Sequence, residues 1–307
     1  MPKRLDTRAT ERRILESYQR SWSLLRSDLE ALQTRVAAAR AAGQPIRRSW
    51  LLKEARIEDT LSLLGQQVSL LSEQAKFDVV AERARAAQEG AAAAISELGD
   101  VAFPARPSLQ AMERLTSSGN IERLFASLGP DAVGKARDSL VTGLLLGKHP
   151  SVVARELRDV LGVNALRAQT IARTEILRSY RDAAQLTYQR NSDVVQGWVW
   201  FSAADHRTCA MCWSLHGKQF EVSERHATHP GCRCTLRPVT ERTGAIKTGE
   251  ERFRDLPETY QRRILGPGRF QLWQDGTPFT DFASKPFKTP YGPGRRLRTL
   301  RELSNAT

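Results

Sequence analysis

The sequence predicts an α+β protein that is mostly α-helical, with an N-terminal helical hairpin, a helical middle, a small β-sheet module with a Cys/His cluster, and an extended C-terminal tail. Two long apolar stripes with helical spacing, an aromatic segment after residue 194 and four cysteines close together in the chain support this prediction. The predicted domains are 1–103, 104–276 and 277–307, and the module occupies 194–240.

The hairpin is predicted from two series of apolar residues spaced three and four apart, which places each series on one stripe of a helix. Gly43-Gln44-Pro45 interrupts any helix between them. We therefore expect antiparallel helices at 7–42 and 48–98, either as a partner-binding arm or packed on their own domain. The stripes are Leu15, Tyr18, Trp22, Leu25, Leu29, Leu32 and Val36, then Ile57, Leu61, Leu64, Val68, Leu71 and Ala75.

The helical middle begins after the linker Pro104-Ala105-Arg106-Pro107, where capping residues and first-turn prolines mark helix starts. These signals are Ser108, Pro130, Pro150 and Asn164, and they predict helices at 109–117, 130–146, 150–161 and 165–190. The core residues expected on the last of these helices are Leu166, Ile171, Ile176, Leu177, Tyr180 and Leu186.

The β-sheet module is predicted from a change in residue type at Val194. Residues 195–201 are rich in β-branched and aromatic side chains and predict a strand. Residues 215–222 predict a turn that enters a second strand, and 235–239 a third. After Gly276 the chain is rich in Phe, Pro and Gly, so we expect an extended segment that is ordered only by docking.

The net charge of +13 is concentrated at the two ends of the chain. Residues 1–56 carry 13 Lys/Arg against 6 Asp/Glu, and residues 282–307 carry 6 against 1. Basic ends suit contact with phosphates or with an acidic protein surface, although solubility alone also explains them. No base-reading motif is present, so DNA contact would be sequence-independent. The residues predicted for DNA or partner contact are Arg295, Arg296, Arg298 and Arg301.

The cysteines form the sharpest motif, Asp205-x-Arg207-Thr208-Cys209-x-x-Cys212 followed by His229-Pro230-Gly231-Cys232-Arg233-Cys234. Zinc takes four tetrahedral ligands from thiolates and imidazoles, and here five candidates compete for four places. A closed site would be structural, and its binding energy would support folding. Reduced thiols or a redox pair are the alternatives. The candidate ligands are Cys209, Cys212, His229, Cys232 and Cys234, with His226 as a weaker sixth.

A catalytic interpretation competes with the structural one because histidines and carboxylates crowd the same region. The residues concerned are Asp205, His206, His216, Glu221, Glu224, His226 and His229. No established metalloprotease, phosphate-loop or hydrolase motif is present. We therefore expect Asp205 to be a turn residue and Arg207 an ion-pair partner. In Arg173-Thr174-Glu175, Glu175 and Arg178 predict a surface pair, while Arg173 or Glu175 is the candidate anchor to the module.

Several of these motifs occur in one order that resembles the phage Mu F-like head morphogenesis family, also called minor capsid or minor head proteins. The resemblance covers about residues 135–275. It rests on Ile171-Ala172-Arg173-Thr174-Glu175, Trp198-x-Trp200, the two cysteine motifs, Leu215-x-Gly217-x-x-Phe220, and Gln261-x-x-Ile264-Leu265-Gly266-Pro267-x-Arg269.

This resemblance implies a virion component of a tailed bacteriophage, made in the host cytoplasm and located inside the head near the portal vertex. It would act in head morphogenesis and in DNA packaging or delivery. The expected partners are the portal protein, the major capsid protein as a second candidate, and packaged double-stranded DNA, with no membrane. The expected role is structural rather than enzymatic. The alternatives are a metal-dependent nuclease or other phage-borne enzyme acting on nucleic acid, and a host DNA-binding regulator, which the lack of a reading helix disfavours.

Overall fold

A computed structural model of the chain describes residues 6–47, 55–99, 104–117, 120–146, 148 and 150–304. Helices form 65% of it and the strands are few and antiparallel, which confirms the predicted mostly α-helical α+β class. The helices before the sheet are α1 (Arg8–Ala41), α2 (Ala55–Leu98), α3 (Leu109–Ser117), α4 (Ile121–Ala126), α5 (Leu128–Leu145) and α6 (Pro150–Arg190).

The chain divides into two compact units. The helical unit comprises Asp6–Ala81 and Asn120–Arg173, and the module unit comprises Glu82–Gly119 and the chain from Thr174 onward. The predicted domain boundaries lie at proline- and glycine-rich segments. Boundaries between the two units lie instead within α2 and within α6, so that each of these helices contributes to both units. The domains 1–103, 104–276 and 277–307 therefore stay a prediction.

In the helical unit α1 and α2 run antiparallel, as predicted. Arg13 pairs with Asp78 at 3.8 Å, and Ser21 hydrogen-bonds Gln67 at 3.5 Å, so the helices approach in opposite directions. All six residues of the second predicted stripe are buried. On α1 the stripe is partly wrong, because Ile14 is buried in place of Leu15. The side chains of Leu25 and Leu29, and the predicted helix start at 48–54, lie outside the described residues.

Helix α6 is continuous, so the predicted break between 150–161 and 165–190 is wrong. Asn164 is buried inside the helix, and its side-chain amide donates to the Val160 carbonyl one turn earlier at 2.9 Å. This bond satisfies the polar side chain without interrupting the helix. Leu166, predicted in the core, is 60% exposed, whereas Ile171, Ile176 and Tyr180 are buried as expected. At the start of α3, Ser108 accepts from the Ala111 amide at 3.3 Å and caps the helix as predicted.

The module unit contains a three-stranded antiparallel sheet in the order β2–β1–β3. The central strand β1 (Gly197–Phe201) pairs with β2 (Gln219–Phe220) and with β3 (Thr235–Val239), close to the predicted positions. Trp198 and Trp200 on β1 are fully buried. A short helix, α7 (Ala210–Leu215), lies between β1 and β2 and carries part of the cysteine motif.

The C-terminal segment folds back onto the module unit instead of remaining extended. Phe279, Phe282 and Leu303 are buried with aromatic residues of the preceding helices, so apolar burial orders a segment whose prolines exclude one long helix. Its elements are α8 (Gly249–Arg254), α9 (Glu258–Leu265), α10 (Pro267–Gln274), a 3₁₀ helix (Phe279–Phe282), the hairpin β4 (Phe287–Thr289) and β5 (Gly292–Gly294), and α11 (Leu300–Ser304).

None of the described helices combines the length and the apolar character that crossing a bilayer requires.

Gly90 allows α2 to approach α6 closely inside the module unit, and a substitution at this position tests that contact. A Cβ at this position would overlap the backbone carbonyl oxygen of Tyr180 on α6. Gly90→Ala should therefore lower the free energy of unfolding by about 1–3 kcal/mol, measured by urea denaturation.

The matched control is Gly134→Ala on α5, where an added Cβ meets no described atom within 4 Å. Because Ala is the better helix former, this variant should be as stable as the wild type or gain up to about 1 kcal/mol. Equal stability of the two variants would contradict the helix contact at Gly90.

Candidate metal centre

The two halves of the cysteine motif are positioned by α7 and by the approach to β3. Cys209 immediately precedes α7 in an extended conformation, and Cys212 lies one turn inside the helix. Between His229 and Cys232 the chain turns at Gly231, whose φ of 69° is in the left-handed region that favours glycine. The Cys232 amide donates to the His229 carbonyl at 3.2 Å and closes the turn.

The structure brings all five predicted ligands together. His229 Nε2 lies 3.3 Å from both Cys209 Sγ and Cys212 Sγ, and Cys212 Sγ lies 3.7 Å from Cys232 Sγ. The donor atoms form two overlapping groups, each with all atoms within 4.8 Å of one another. Cys209, Cys212 and His229 form one group, and Cys212, Cys232 and Cys234 form the other, so Cys212 is common to both.

His229 is oriented for ligation by its own loop. Its Nδ1 lies 2.8 Å from the Pro230 carbonyl oxygen, an acceptor that requires a proton on Nδ1. When the imidazole is neutral, as a metal ligand is, the lone pair of Nε2 then faces the thiols. A hydrogen bond of this kind to the outer ring nitrogen commonly fixes the tautomer of a metal-binding histidine.

The thiols strongly perturb one another. The Cys212 thiol and then His229 lower the pKa of Cys209 to about 5. The hydrogen bonds with Cys209 and Cys232 raise the pKa of Cys212 well above its usual value, and burial raises that of Cys234. Burial alone would lower the pKa of His229, but hydrogen bonds to Cys209 and Cys232 raise it to about 11. Ionising all four thiols together requires compensating positive charge, which a divalent ion with soft-ligand affinity supplies.

One side of helix α6 holds the second half of the motif. Thr174 Oγ1 accepts from the Gly231 amide at 2.9 Å. Arg181, 3% exposed, donates from Nη1 to the carbonyls of Cys232 and Cys234 at 3.2 and 3.1 Å. Gln185 accepts from the His226 amide at 3.3 Å. The sequence does not single out these three residues, because polar and charged side chains recur along the whole of this helix.

The predicted motif Arg173-Thr174-Glu175 supplies this anchor through its middle residue. Arg173 lies in the helical unit, 3.5 Å from Glu11. Glu175 pairs with Arg178 at 2.6 Å, as predicted, but it is fully buried rather than on the surface. Buried Arg83, which the sequence analysis missed, lies 3.9 Å from Glu175 and donates to Ser179 at 3.0 Å.

Asp205 closes the loop in front of the cysteines, as a turn residue. It accepts from the Arg207 amide at 3.0 Å and from the Thr208 hydroxyl at 2.9 Å. Arg233, between the last two cysteines, donates two bonds to it at 2.8 and 3.0 Å, and these bonds hold the pKa of Asp205 well below its usual value. The predicted ion-pair partner Arg207 is instead exposed and, with Cys209, lines a recess of about 60 Å³.

Several of the residues considered for catalysis are held by contacts within the chain, whereas His206 and Glu221 are exposed. His216 is buried, and its Nδ1 accepts from the Ser202 amide at 3.0 Å. Burial and then Arg252 lower its pKa to about 4. His226 packs edge-on against Trp198 and Trp200, and Glu224 lies 3.3 Å from Arg295. Within the described part of the chain, the clusters with metal-ligand geometry contain only cysteines and His229.

Three of the four arginines predicted for DNA or partner contact bind within the chain. Arg295 is 8% exposed and donates to the Ser284 carbonyl at 2.9 Å. Arg296 pairs with Glu302, and Arg298 donates to the Asp281 carbonyl at 3.1 Å. Arg301 is exposed. The contact with DNA or a partner stays a prediction for all four residues.

Residues 135–237 match the model of the family described as Phage Mu protein F like protein. The resemblance seen in the sequence is confirmed over these residues, which include the α6 anchor and all five candidate ligands. No curated protein and no solved structure matches the chain.

Arg181 is the residue whose removal best tests the anchoring of the cysteine loop. Arg181→Met leaves the buried carbonyls of Cys232 and Cys234 without these donors, so the free energy of unfolding should fall by about 2–3 kcal/mol. The measurement is denaturant unfolding of the full chain.

Arg158→Met provides the control, since Arg158 is exposed on the same helix. It should change stability by less than about 0.5 kcal/mol. A similar small effect for Arg181→Met would mean that the loop holds its position without α6.

Proposed function

We propose that this protein, whose residues 135–237 form a Phage Mu protein F-like region, is a minor head protein of a tailed bacteriophage that acts in head morphogenesis. The family match carries this proposal because it covers the complete cysteine motif and the part of α6 that anchors it. The role we infer is architectural and non-enzymatic, since the candidate catalytic residues His216 and His226 are buried in contacts within the chain.

Zinc is the metal that we assign to the Cys/His cluster, in a structural role. Thiolate and imidazole ligands are typical of zinc, and a closed set of four leaves no position for substrate. Cys212 is common to both donor groups, whereas Cys209 and Cys234 lie in different groups. Zinc bound to these residues would join the segment that holds Cys209 and Cys212 to the segment that holds His229, Cys232 and Cys234. This link would stabilise the small sheet.

Within the virion, we place the protein inside the head near the portal vertex. The portal protein is its proposed partner, with the major capsid protein as a second candidate. Proximity to packaged DNA requires tolerance of a dense phosphate surface, which the net charge of +13 supports. Contact with DNA would be independent of base sequence.

The zinc assignment predicts one zinc per chain in the purified full-length protein, measured by elemental analysis. Removal by a chelator should lower Tm by about 10 °C or more, because the binding energy of a structural site is folding energy. Cys212→Ser should abolish zinc binding. If only one of Cys209 and Cys234 binds zinc, only the substitution of that cysteine by Ser should reduce the zinc content.

A histidine pair supplies the control for this measurement. His229→Asn should weaken zinc binding, whereas His206→Asn, at an exposed position close to Cys209 in the chain, should leave it unchanged. A metal-free protein with an unaltered Tm would contradict the structural zinc site.

The head function predicts a defect in phage that cannot make this protein. Cells would be infected with phage that carries an early stop codon in the gene for this protein. The number of DNA-filled heads should decrease, and it should recover when the wild-type protein is supplied from a plasmid. His206→Asn should restore them and Cys212→Ser should not. Antibody against the portal ring should capture the wild-type protein from these heads.

Normal numbers of filled, infectious particles without the protein would overturn the head function. Restored heads from which portal antibody recovers no protein would leave head morphogenesis supported and would contradict the portal contact.

A further inference from the structure

The module unit contains a second recess that shares no lining residue with the one beside the cysteines. It has a volume of about 690 Å³ and lies between α3, α6 and the chain at 223–225. Ligand pockets commonly measure about 300–1,000 Å³, so this groove is large enough for a bound segment. Helix α3, which forms one side of this groove, has no fully buried residue. A small shift of α3 on ligand binding would therefore break few apolar contacts.

The groove carries net positive charge. Arg114 on α3 and Arg190 on α6 are both exposed lining residues, and neither has an ion-pair partner among the described residues. Arg225 lies 3.5 Å from Asp182, the only acidic residue that lines the groove in the described chain. Two guanidinium groups therefore remain available for an anion, and guanidinium matches a carboxylate with two parallel hydrogen bonds.

The rest of the lining suits a peptide better than a nucleic acid. Ala111, Leu115 and Leu186 line the groove together with Gln110 and Gln189, of which Gln189 also donates to the Val222 carbonyl at 3.2 Å. Amides can bond a peptide backbone, while apolar side chains can cover its aliphatic residues. No aromatic side chain is among the lining residues of this described groove, so unpaired bases would find no ring on which to stack.

We propose that this groove binds a short acidic segment of another protein, with carboxylates on Arg114 and Arg190 and aliphatic side chains against Leu115 and Leu186. Recognition of acidic motifs by clustered arginines is an established mode of peptide binding. The identity of the partner as another head protein rests on the proposed function. The binding of carboxylates by the groove does not depend on that function.

The test uses the full-length protein and a fluorescein-labelled ten-residue peptide that alternates Glu with Leu and Ala. Fluorescence anisotropy should show binding that weakens at higher salt and is at least about tenfold weaker for the same peptide with Gln at every Glu position. Arg114→Gln and Arg190→Gln should each reduce affinity about three- to fivefold.

Arg158→Gln, an exposed arginine of α6 outside the groove, should bind the peptide as the wild type does. All three arginines are exposed, and circular dichroism should show unchanged folding of each variant. Equal affinity for the Glu and Gln peptides, or loss of affinity in Arg158→Gln to the same extent, would overturn the proposal. So would a labelled single-stranded oligonucleotide that binds more tightly through Arg114 and Arg190.

Because this assay requires no phage, its failure would be distinct from a failure of the head function.

Discussion

The module unit depends on one constraint, which is that several thiols and one imidazole are confined within a few ångströms of one another. Mutual hydrogen bonding separates their pKa values, lowering that of Cys209 and raising that of Cys212. Such a cluster is unfavourable unless its loops are held and its charge is balanced. The side chains of Thr174 and Arg181 on α6 hold the second cysteine loop by hydrogen bonds to its backbone. A divalent ion would balance the charge of the thiolates.

The sequence was sufficient to predict the sheet and the clustering of the five candidate ligands because both have local signals. The β-branched and aromatic run of β1 has no helical spacing, and the C-x-x-C and C-x-C pairs are visible without any knowledge of the fold. The positions of the main helices were predictable for the same reason. The continuity of α6 through Asn164 was not predictable, because a capping residue at a helix start and a buried Asn164 bonded to Val160 have the same appearance in a sequence.

The contacts that the sequence could not identify join residues far apart in the chain. Arg83 and Glu175 are ordinary charged residues on their own helices, and only the packing of α2 against α6 buries them together in the module unit. Arg181 likewise acts through carbonyl groups about fifty positions away, and backbone carbonyls carry no sequence signal. A buried arginine of this kind saturates acceptors that water cannot reach, so its identity is set by the fold and not by its neighbours.

The same reasoning changes the interpretation of the basic C-terminal segment. Its composition suggested freely available positive charge, yet Arg295 and Arg298 bind carbonyl oxygens and Arg296 binds a carboxylate. A guanidinium engaged in this way must lose its internal bonds before it can bind a phosphate or a partner, which reduces the net gain. Charge that is available for recognition is therefore better located by the absence of such bonds among the described residues than by local composition. On that criterion Arg114 and Arg190, in segments without unusual charge, are better placed to bind an anion than Arg295, Arg296 and Arg298.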